Sequence, residues 1–427
     1  MKKDIKFRAI KPIMNRFYSL ILISGMIWIF GQSTTWAFDG PTMLTEKDAI
    51  NRGMKLSKVL KRQDATLQKA ESEIIEALAW ANPVFEYSQE TSNDGPDDTV
   101  EKFFILSQEL DLSGRRGLKT KATRKRFDVT IENNADWHQN RVADIRRLFY
   151  EALYQQKLLG AFEHWIANMD GIEEIMRKLK KGGEISGYDL LRLQRERALV
   201  IAEQHRTGGN YERSLQELRG MIDNESDDHP WNALTGSLLP EQKIQPLNDV
   251  LANFTNQPLL NALKLQGEAL AFEKQAADRW WIPHITVDLG TKSIDTGTET
   301  GNGVFAKLSF PIPVLDRKAA KRQRTLAQKQ LLESEYQLAL GQRKGTASGL
   351  WQQAVLFEDA ARRVGSGDFD NLINIAEASY QAGEIGILEI LDAYRSAFEE
   401  KAQFLALAHD ARRARIELNL ITGGFIQ

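Results

Sequence analysis

Glu389 and Asp392 stand three residues apart in a stretch with helical periodicity, so both carboxylates fall on one face of a helix. Paired acidic side chains raise the local concentration of cations, and that is the chemistry the pair offers. The same spacing also describes an ordinary solvated helix face. Catalytic groups do not gather around it. The six histidines, His138, His164, His205, His229, His284 and His409, are scattered without metal-ligand spacing, and neither a phosphate-binding loop nor a Gly-x-Ser-x-Gly elbow occurs. Asp227-Asp228-His229 places three ligand types in a row, but a solvated loop accounts for it more simply. With no cysteine, the chain makes no disulfide, thiolate metal site or lipid-modified cysteine. The expectation is a protein that is not an enzyme and holds no cofactor and no metal.

The carboxylate pair follows a glycine break that occurs twice. Gly182-Gly183-Glu184-Ile185-Ser186-Gly187-Tyr188-Asp189-Leu190-Leu191 and Ala382-Gly383-Glu384-Ile385-Gly386-Ile387-Leu388-Glu389-Ile390-Leu391 keep one spacing 200 positions apart, with Gly183 matching Gly383, Glu184 Glu384, Ile185 Ile385, Asp189 Glu389 and Leu191 Leu391. Glycine ends a helix because it adopts the left-handed conformation without strain, and each apolar run that follows restarts helical periodicity. Both stretches read as tips of helical hairpins. Gly183, Glu184, Ser186, Gly383, Glu384 and Gly386 are the candidate contact residues there: a tight turn explains the glycines but not the recurrence of Glu-Ile. The copies are not equivalent, because Arg192 stands where the second has Asp392. Arg177, Lys178, Lys180 and Lys181 approach the first tip; they either meet an acidic surface or complement a helix C-terminus.

The rest of the chain repeats around these tips. The first copy spans 38–224. A helical pattern from Leu44 to Ala81 stops before Pro83, and strands at about 84–112 surround the turn cluster 93–98. A helix of roughly 100 Å then runs from an N-cap at Ser113 to about Lys181. Its Ile145, Leu148, Ala152, Leu159, Phe162, Ile166, Met169 and Met176 keep coiled-coil spacing. The tip at 182–187 and a helix to about Asp223 complete the copy. Residues 225–257 form an irregular connection. The second copy, 258–427, begins with a helix at Pro258 and continues with strands at about 284–313, in which Ile285, Val287 and Leu289, then Val304, Ala306, Leu308 and Phe310, alternate with largely polar residues. Asp316 caps a helix to Gln381 with a weak point at Gly365-Ser366-Gly367. The tip at 382–386 leads to a last helix, Ile387 to Thr422, with Leu391, Tyr394, Phe398, Leu405 and Ala408 in heptad spacing, ended by Gly423-Gly424.

Residues 1–37 carry a basic start, the apolar run Phe17–Phe30 and Thr35-Trp36-Ala37, the pattern of an export signal cut after Ala37. The run is too short to span a bilayer as a helix, and no later apolar run reaches that length, so a membrane role requires a β-barrel. A formal charge of −2 with scattered basic residues gives no case for nucleic acid. Four strands cannot close a barrel, because an open edge in lipid leaves backbone groups unsatisfied. Three chains would supply twelve, an even number suited to outer-membrane barrels.

This duplicated order, with Trp80-Ala81-Asn82-Pro83 before the first strand, Leu308-Ser309-Phe310-Pro311-Ile312 after the last, and both Gly-Glu-Ile tips, resembles the TolC family of outer-membrane efflux channels over the whole mature chain. Ser107-Gln108-Glu109-Leu110-Asp111-Leu112-Ser113-Gly114-Arg115-Arg116 is similar to the strand exit of the cobalt-zinc-cadmium branch. The resemblance implies a mainly α homotrimer in the outer membrane whose twelve-stranded barrel continues into an α-helical periplasmic tunnel. It further implies a passive conduit for heavy-metal cations, docked at its tips to a periplasmic adaptor and an inner-membrane RND-type pump. By the same resemblance Glu389 and Asp392 line the periplasmic constriction and Tyr380 holds the closed state, whereas Ile385 replaces a gate-locking arginine, so any latch differs. A drug-efflux or type I protein-secretion outlet remains the alternative, as does a periplasmic coiled-coil scaffold whose hairpins are soluble ribbons.

Overall fold

The computed structural model describes residues 43–92, 98–223, 231–252, 254, 257–315, 317–367 and 369–423. The expected export signal, most of the 93–98 turn, Asp227-Asp228-His229, Asp316 and Gly424 lie outside the described residues.

The chain begins with a two-residue strand, β1 (Met43–Leu44), and α1 (Glu46–Lys55), whose N-cap Thr45 accepts a hydrogen bond from the Asp48 amide at 3.2 Å. The single helix expected over 44–81 is in fact two. Leu56 takes an extended backbone, φ −55 and ψ 132, and is buried, and α2 (Ser57–Leu78) starts after it. Neither glycine nor proline marks this break; burying the leucine offsets the interrupted helix ladder. Gly53 on α1 lets the helix approach its neighbours, since a Cβ there would lie 2.5 Å from Ile145 Cδ1.

Strands β2 (Val84–Ser92) and β3 (Thr99–Leu110) lead to α3 (Arg115–Gly182), 68 residues long. The helix starts later than expected, and Ser113 is not its N-cap. Gly114 occupies that position at φ 67, while the Asp111 carboxylate accepts from the Ser113 and Arg116 amides at 3.0 and 3.2 Å. The seam residues expected to face inward include Ile145, Ala152, Phe162, Met169 and Met176, all buried. Next come α4 (Gly187–Ile222), β4 (Ala233–Leu234), α5 (Leu247–Ala252) and α6 (Pro258–Asp278). The connection expected to be irregular thus holds a strand and a helix. Strands β5 (Ile285–Asp295) and β6 (Thr300–Ser309) precede α7 (Ala319–Val364), α8 (Phe369–Gln381) and α9 (Ile387–Thr422). The break between α7 and α8 falls at the glycines that suggested a weak point.

The elements of residues 43–423 order themselves in the same way at three levels. The sheet is antiparallel throughout in the order β2-β3-β5-β6. Helices next to it follow the order α2-α3-α6-α7, and those toward the tips the order α4-α3-α9-α8. Each level has two open edges. A strap from 231 to 246 crosses the middle. It is tied by β1 pairing parallel to β4 and by side-chain donors on its carbonyls: Arg412 to Ser237, Leu238 and Leu239 at 2.9, 2.9 and 3.0 Å, Arg362 to Pro240 at 3.1 Å, and Arg415 to Gln242 at 3.0 Å. Arginine carries enough donors to satisfy several carbonyls of an irregular segment at once. The strap's Trp231 forms one apolar core with Ile145, Phe149, Leu153, Leu218 and Leu405 beneath it.

Candidate functional site

Both tips adopt one backbone geometry. Gly183 and Gly383 are left-handed at φ 81 and 75. The Gly183 amide donates to the Lys180 carbonyl at 3.1 Å and the Glu184 amide to Leu179 at 3.0 Å; the Gly383 amide donates to Tyr380 and that of Glu384 to Ser379, at 3.0 and 2.9 Å. These are paired C-terminal caps that only glycine supplies without strain. The following helices start differently. Ser186 Oγ accepts from the Asp189 amide at 3.2 Å while Asp189 Oδ2 accepts from the Ser186 amide at 3.2 Å, a complete capping box. Gly386 has no side-chain oxygen, so Glu389 alone serves its tip, accepting from the Gly386 amide at 3.1 Å. Glu184 and Glu384 are exposed at the ends.

An apolar cluster ties the two hairpins together behind the tips. Met169, Ile172 and Met176 from α3, Leu193 from α4, Tyr380 from α8, and Ile390, Leu391 and Tyr394 from α9 are buried against one another. Tyr380 is 7% exposed, and burial together with the nearby Asp189 carboxylate pushes its hydroxyl above the ordinary tyrosine range. It is a packing residue between the copies within the described residues. Tyr394 donates to Glu377 Oε1 at 2.6 Å, joining α9 to α8, and burial again raises its hydroxyl. Glu389 and Asp392 lie exposed on α9, and Arg192 is exposed on α4. Arg395 pairs with Glu196, bridging α9 to α4. Among the described residues no group of three His, Cys, Asp or Glu side chains is placed to hold a metal ion.

No family model matches the chain. Two curated relatives do, both from Cupriavidus metallidurans. The chain is 22% identical to "Nickel and cobalt resistance protein CnrC" over 301 residues, 69% of each chain. It is 21% identical to "Cobalt-zinc-cadmium resistance protein CzcC" over 385 residues, 88% of each. Among solved structures it is similar to CusC, whose structures concern folding and transmembrane channel formation, with a TM-score of 0.72 at 17% identity over 88% of this chain and 91% of that one. It is also similar to the Campylobacter jejuni CmeC outer membrane channel, TM-score 0.72 at 12% identity over 95% and 94%. The chain has the fold of the TolC-family channels. The features that carry the sequence resemblance take defined places in this TolC-family fold: Trp80 to Pro83 leads into β2, Leu308 and Ser309 close β6, and both Gly-Glu-Ile stretches are helix-hairpin ends.

Sequence reasoning passed over two tip features. Tyr188 and the equivalent Leu388 are 70% and 49% exposed, so each tip also presents an apolar side chain. Leu191 is 66% exposed whereas its equivalent Leu391 is 7% exposed. Spacing makes those leucines identical, and only their neighbours separate them: α9 lies inside its level and α4 at the edge. The basic approach to the first tip is partly spent locally, with Arg177 on Glu173 at 2.6 Å and Lys178 on Glu174 at 3.1 Å. Hydrogen bonds from Gln194 and Arg177 hold the Glu173 carboxyl below its usual range.

Proposed function

We infer that the chain is the outer-membrane channel subunit of a tripartite efflux system, passively conducting cargo delivered by an inner-membrane pump and a periplasmic adaptor. The open edges carry the reading. At each of the three levels an ordered set of four elements ends in two unpaired edges, and copies joined edge to edge satisfy all three at once. Exposed apolar side chains mark those edges: Ile75 on α2 and Leu338 on α7, 70% and 73% exposed, and Leu191 on α4 and Ile375 on α8, 66% and 58%. On the sheet, Phe85, Tyr87, Leu106, Leu289, Val304 and Leu308 leave one face apolar and exposed. Water disfavours such a face and lipid suits it, which argues against soluble ribbons. Strands of 9 to 12 residues have the length a tilted transmembrane strand needs. Three chains make a twelve-stranded barrel above a ring of α-helices.

Within this trimer Glu389 and Asp392 form an acidic ring at the periplasmic end, favouring cations. Tyr380 keeps the two hairpins packed in the closed state. Gly183, Glu184, Ser186, Gly383, Glu384 and Gly386 make the surface that meets the adaptor. Metal cargo is the reading both curated relatives support, since each is named for metal resistance. Purified protein should cross-link to trimers and give discrete conductance steps in planar bilayers; a monomer without conductance refutes the channel. Deleting the protein should sensitise cells to zinc, cadmium, cobalt or nickel and not to dyes or antibiotics. The reverse pattern assigns a drug outlet.

A further inference from the structure

The start of each long helix after the sheet carries a long run of basic side chains without an acidic one. Residues 112–127 hold seven basic and no acidic side chains, and 317–332 hold six and none, although the whole chain has 56 basic and 58 acidic residues. The two runs lie about 200 residues apart, so the duplicated unit carries the feature twice. The opposite end of the sheet is the reverse. No basic residue occurs at 93–101 or 293–306, where Asp98, Asp295 and Glu299 are exposed.

These runs begin where the apolar sheet surface ends. The alternation Val304, Ala306, Leu308 continues through Phe310, Ile312 and Val314, which are 54%, 71% and 64% exposed, and Leu315 is 96% exposed. Pro311 and Pro313 lack the amide that would extend the ladder. Arg317 and Lys321 follow immediately. In the other copy Leu112, 66% exposed, is followed by Arg115 and Lys119. Tryptophans stand beside the same boundary: the Arg116 guanidinium lies 3.4 Å over the Trp80 ring, and Trp281 is 63% exposed. Apolar side chains, tryptophans and long basic side chains in that order are the pattern of a membrane interface, where the cationic heads reach the phosphate plane.

The helix flanks give the direction. α3 is held by α2 on one side, through Thr120 Oγ1 to the Ala77 carbonyl at 3.1 Å, and by α6 on the other, through Lys125 to Glu268 at 2.8 Å. Two free flanks remain, and at 100° per residue Arg115 and Lys119 lie on one, Lys121 and Arg124 on the other. Whichever flank faces outward is basic. Lys119, Arg124, Lys321 and Arg324 are exposed and make no ion pair with a carboxylate among the described residues.

We propose that this duplicated basic collar binds the phosphate headgroups of anionic phospholipid in the periplasmic leaflet, seating the barrel at a fixed depth. The proposal rests on the outer-membrane reading above. Its occupant is lipid because the collar adjoins the apolar sheet face and lies at the end from which the long polar helices extend into water. Clustered lysine and arginine beside an apolar surface recognise anionic lipid in this way, with a salt dependence that a purely apolar contact lacks.

The test uses the full trimer in vesicles of phosphatidylethanolamine and phosphatidylglycerol at about 3:1, with either lipid brominated to quench tryptophan fluorescence. The expected result is at least threefold preferential quenching by brominated phosphatidylglycerol at low salt, falling toward parity in about 0.5 M NaCl. Of R115Q/K119Q and K121Q/R124Q, one pair should at least halve the preference and the other leave it unchanged; R115K/K119R, which keeps charge and fold, should retain it. No preference in the wild type, or equal effects of both pairs, overturns the proposal. A chain that forms no trimer and does not enter vesicles refutes the channel reading instead, so the two failures are distinct.

Discussion

Glu389 caps a tip in this structure and is proposed to line an acidic ring, and a substitution can separate the two tasks. Its carboxylate caps Gly386 at 3.1 Å and contributes to the acidic ring proposed at the periplasmic end. Gln at this position keeps an oxygen that accepts from the Gly386 amide but removes the charge, reducing the ring in a trimer from six carboxylates to three. For carboxylates taken at about 10 Å from the axis of the proposed ring, a monovalent cation gains about 0.4 kcal/mol per charge in water, so the ring would lose about 1.2 kcal/mol of attraction. That corresponds to about an eightfold fall in local cation concentration. Screening sets the conditions: the Debye length is about 30 Å at 0.01 M salt and about 8 Å at physiological strength, so the effect is large only in dilute salt. The assay is the reversal potential across planar bilayers under a KCl gradient. E389Q should move it toward the non-selective value in dilute salt and hardly at all in concentrated salt, with hydrogen exchange at the tip unchanged. E389A should do both, shifting selectivity and costing the tip about 1 kcal/mol of capping. A wild-type reversal potential for E389Q in dilute salt refutes the acidic ring.

Three other outcomes follow from distances in the fold. S186A removes the Oγ that accepts from Asp189 and should loosen the first tip by about 1 kcal/mol, whereas S186G should cost only a few tenths, read by hydrogen exchange at residues 187–189. Equal exchange for all three proteins would remove the capping box from the account. Y394F deletes the 2.6 Å hydrogen bond to Glu377 that holds α8 to α9. A bond to a charged acceptor is worth about 1.5–3 kcal/mol, so amide exchange in α8 should accelerate roughly ten- to a hundredfold with the rest of α9 unaffected. His409 is stacked on Tyr154 with Nε2 3.3 Å from Glu151. Burial, assisted by Arg413, holds its imidazole below the ordinary value of 6.5, against the pull of Glu151 and Asp410. The folded state therefore binds fewer protons than the unfolded one near that value, and stability falls as pH drops below 6.5. H409Q should flatten the thermal-stability profile between about pH 7 and 5; an unchanged slope counts against this residue.

Much of this was legible because both repeats obey local rules. Glycine breaks, alternating strands and heptad seams leave periodic traces, so the starts of α4, α6 and α9 lie within a residue of where spacing put them. Where packing decides, the sequence is silent. Leu56 interrupts a stretch with perfectly good helix formers because the side chain is buried, and the 231–246 strap is positioned by Arg362, Arg412 and Arg415, over 100 residues away in sequence. Ser113 is a better cap by type than Gly114, yet Gly114 takes the N-cap position, with Ser113 Oγ accepting from the Arg115 amide at 3.1 Å and Asp111 from the Arg116 amide at 3.2 Å. At the tips, spacing located Glu389 and Asp392 but not the capping duty of Glu389, because Gly386 differs from Ser186 by one hydroxyl. Tyr380 shows the same limit: the family resemblance suggested its part in the closed state, and only neighbours reveal that it packs between hairpins.

The matching caps at Gly183 and Gly383 have a consequence for symmetry. In the proposed trimer, three chains in a ring would present six ends of one backbone shape, so a partner made of six like subunits would have a seat on every one. The side chains repeat only three times, Ser186, Tyr188 and Arg192 alternating with Gly386, Leu388 and Asp392. Such a partner would find six equal sockets holding two kinds of chemistry, and its own subunits would have to bind as three unlike pairs.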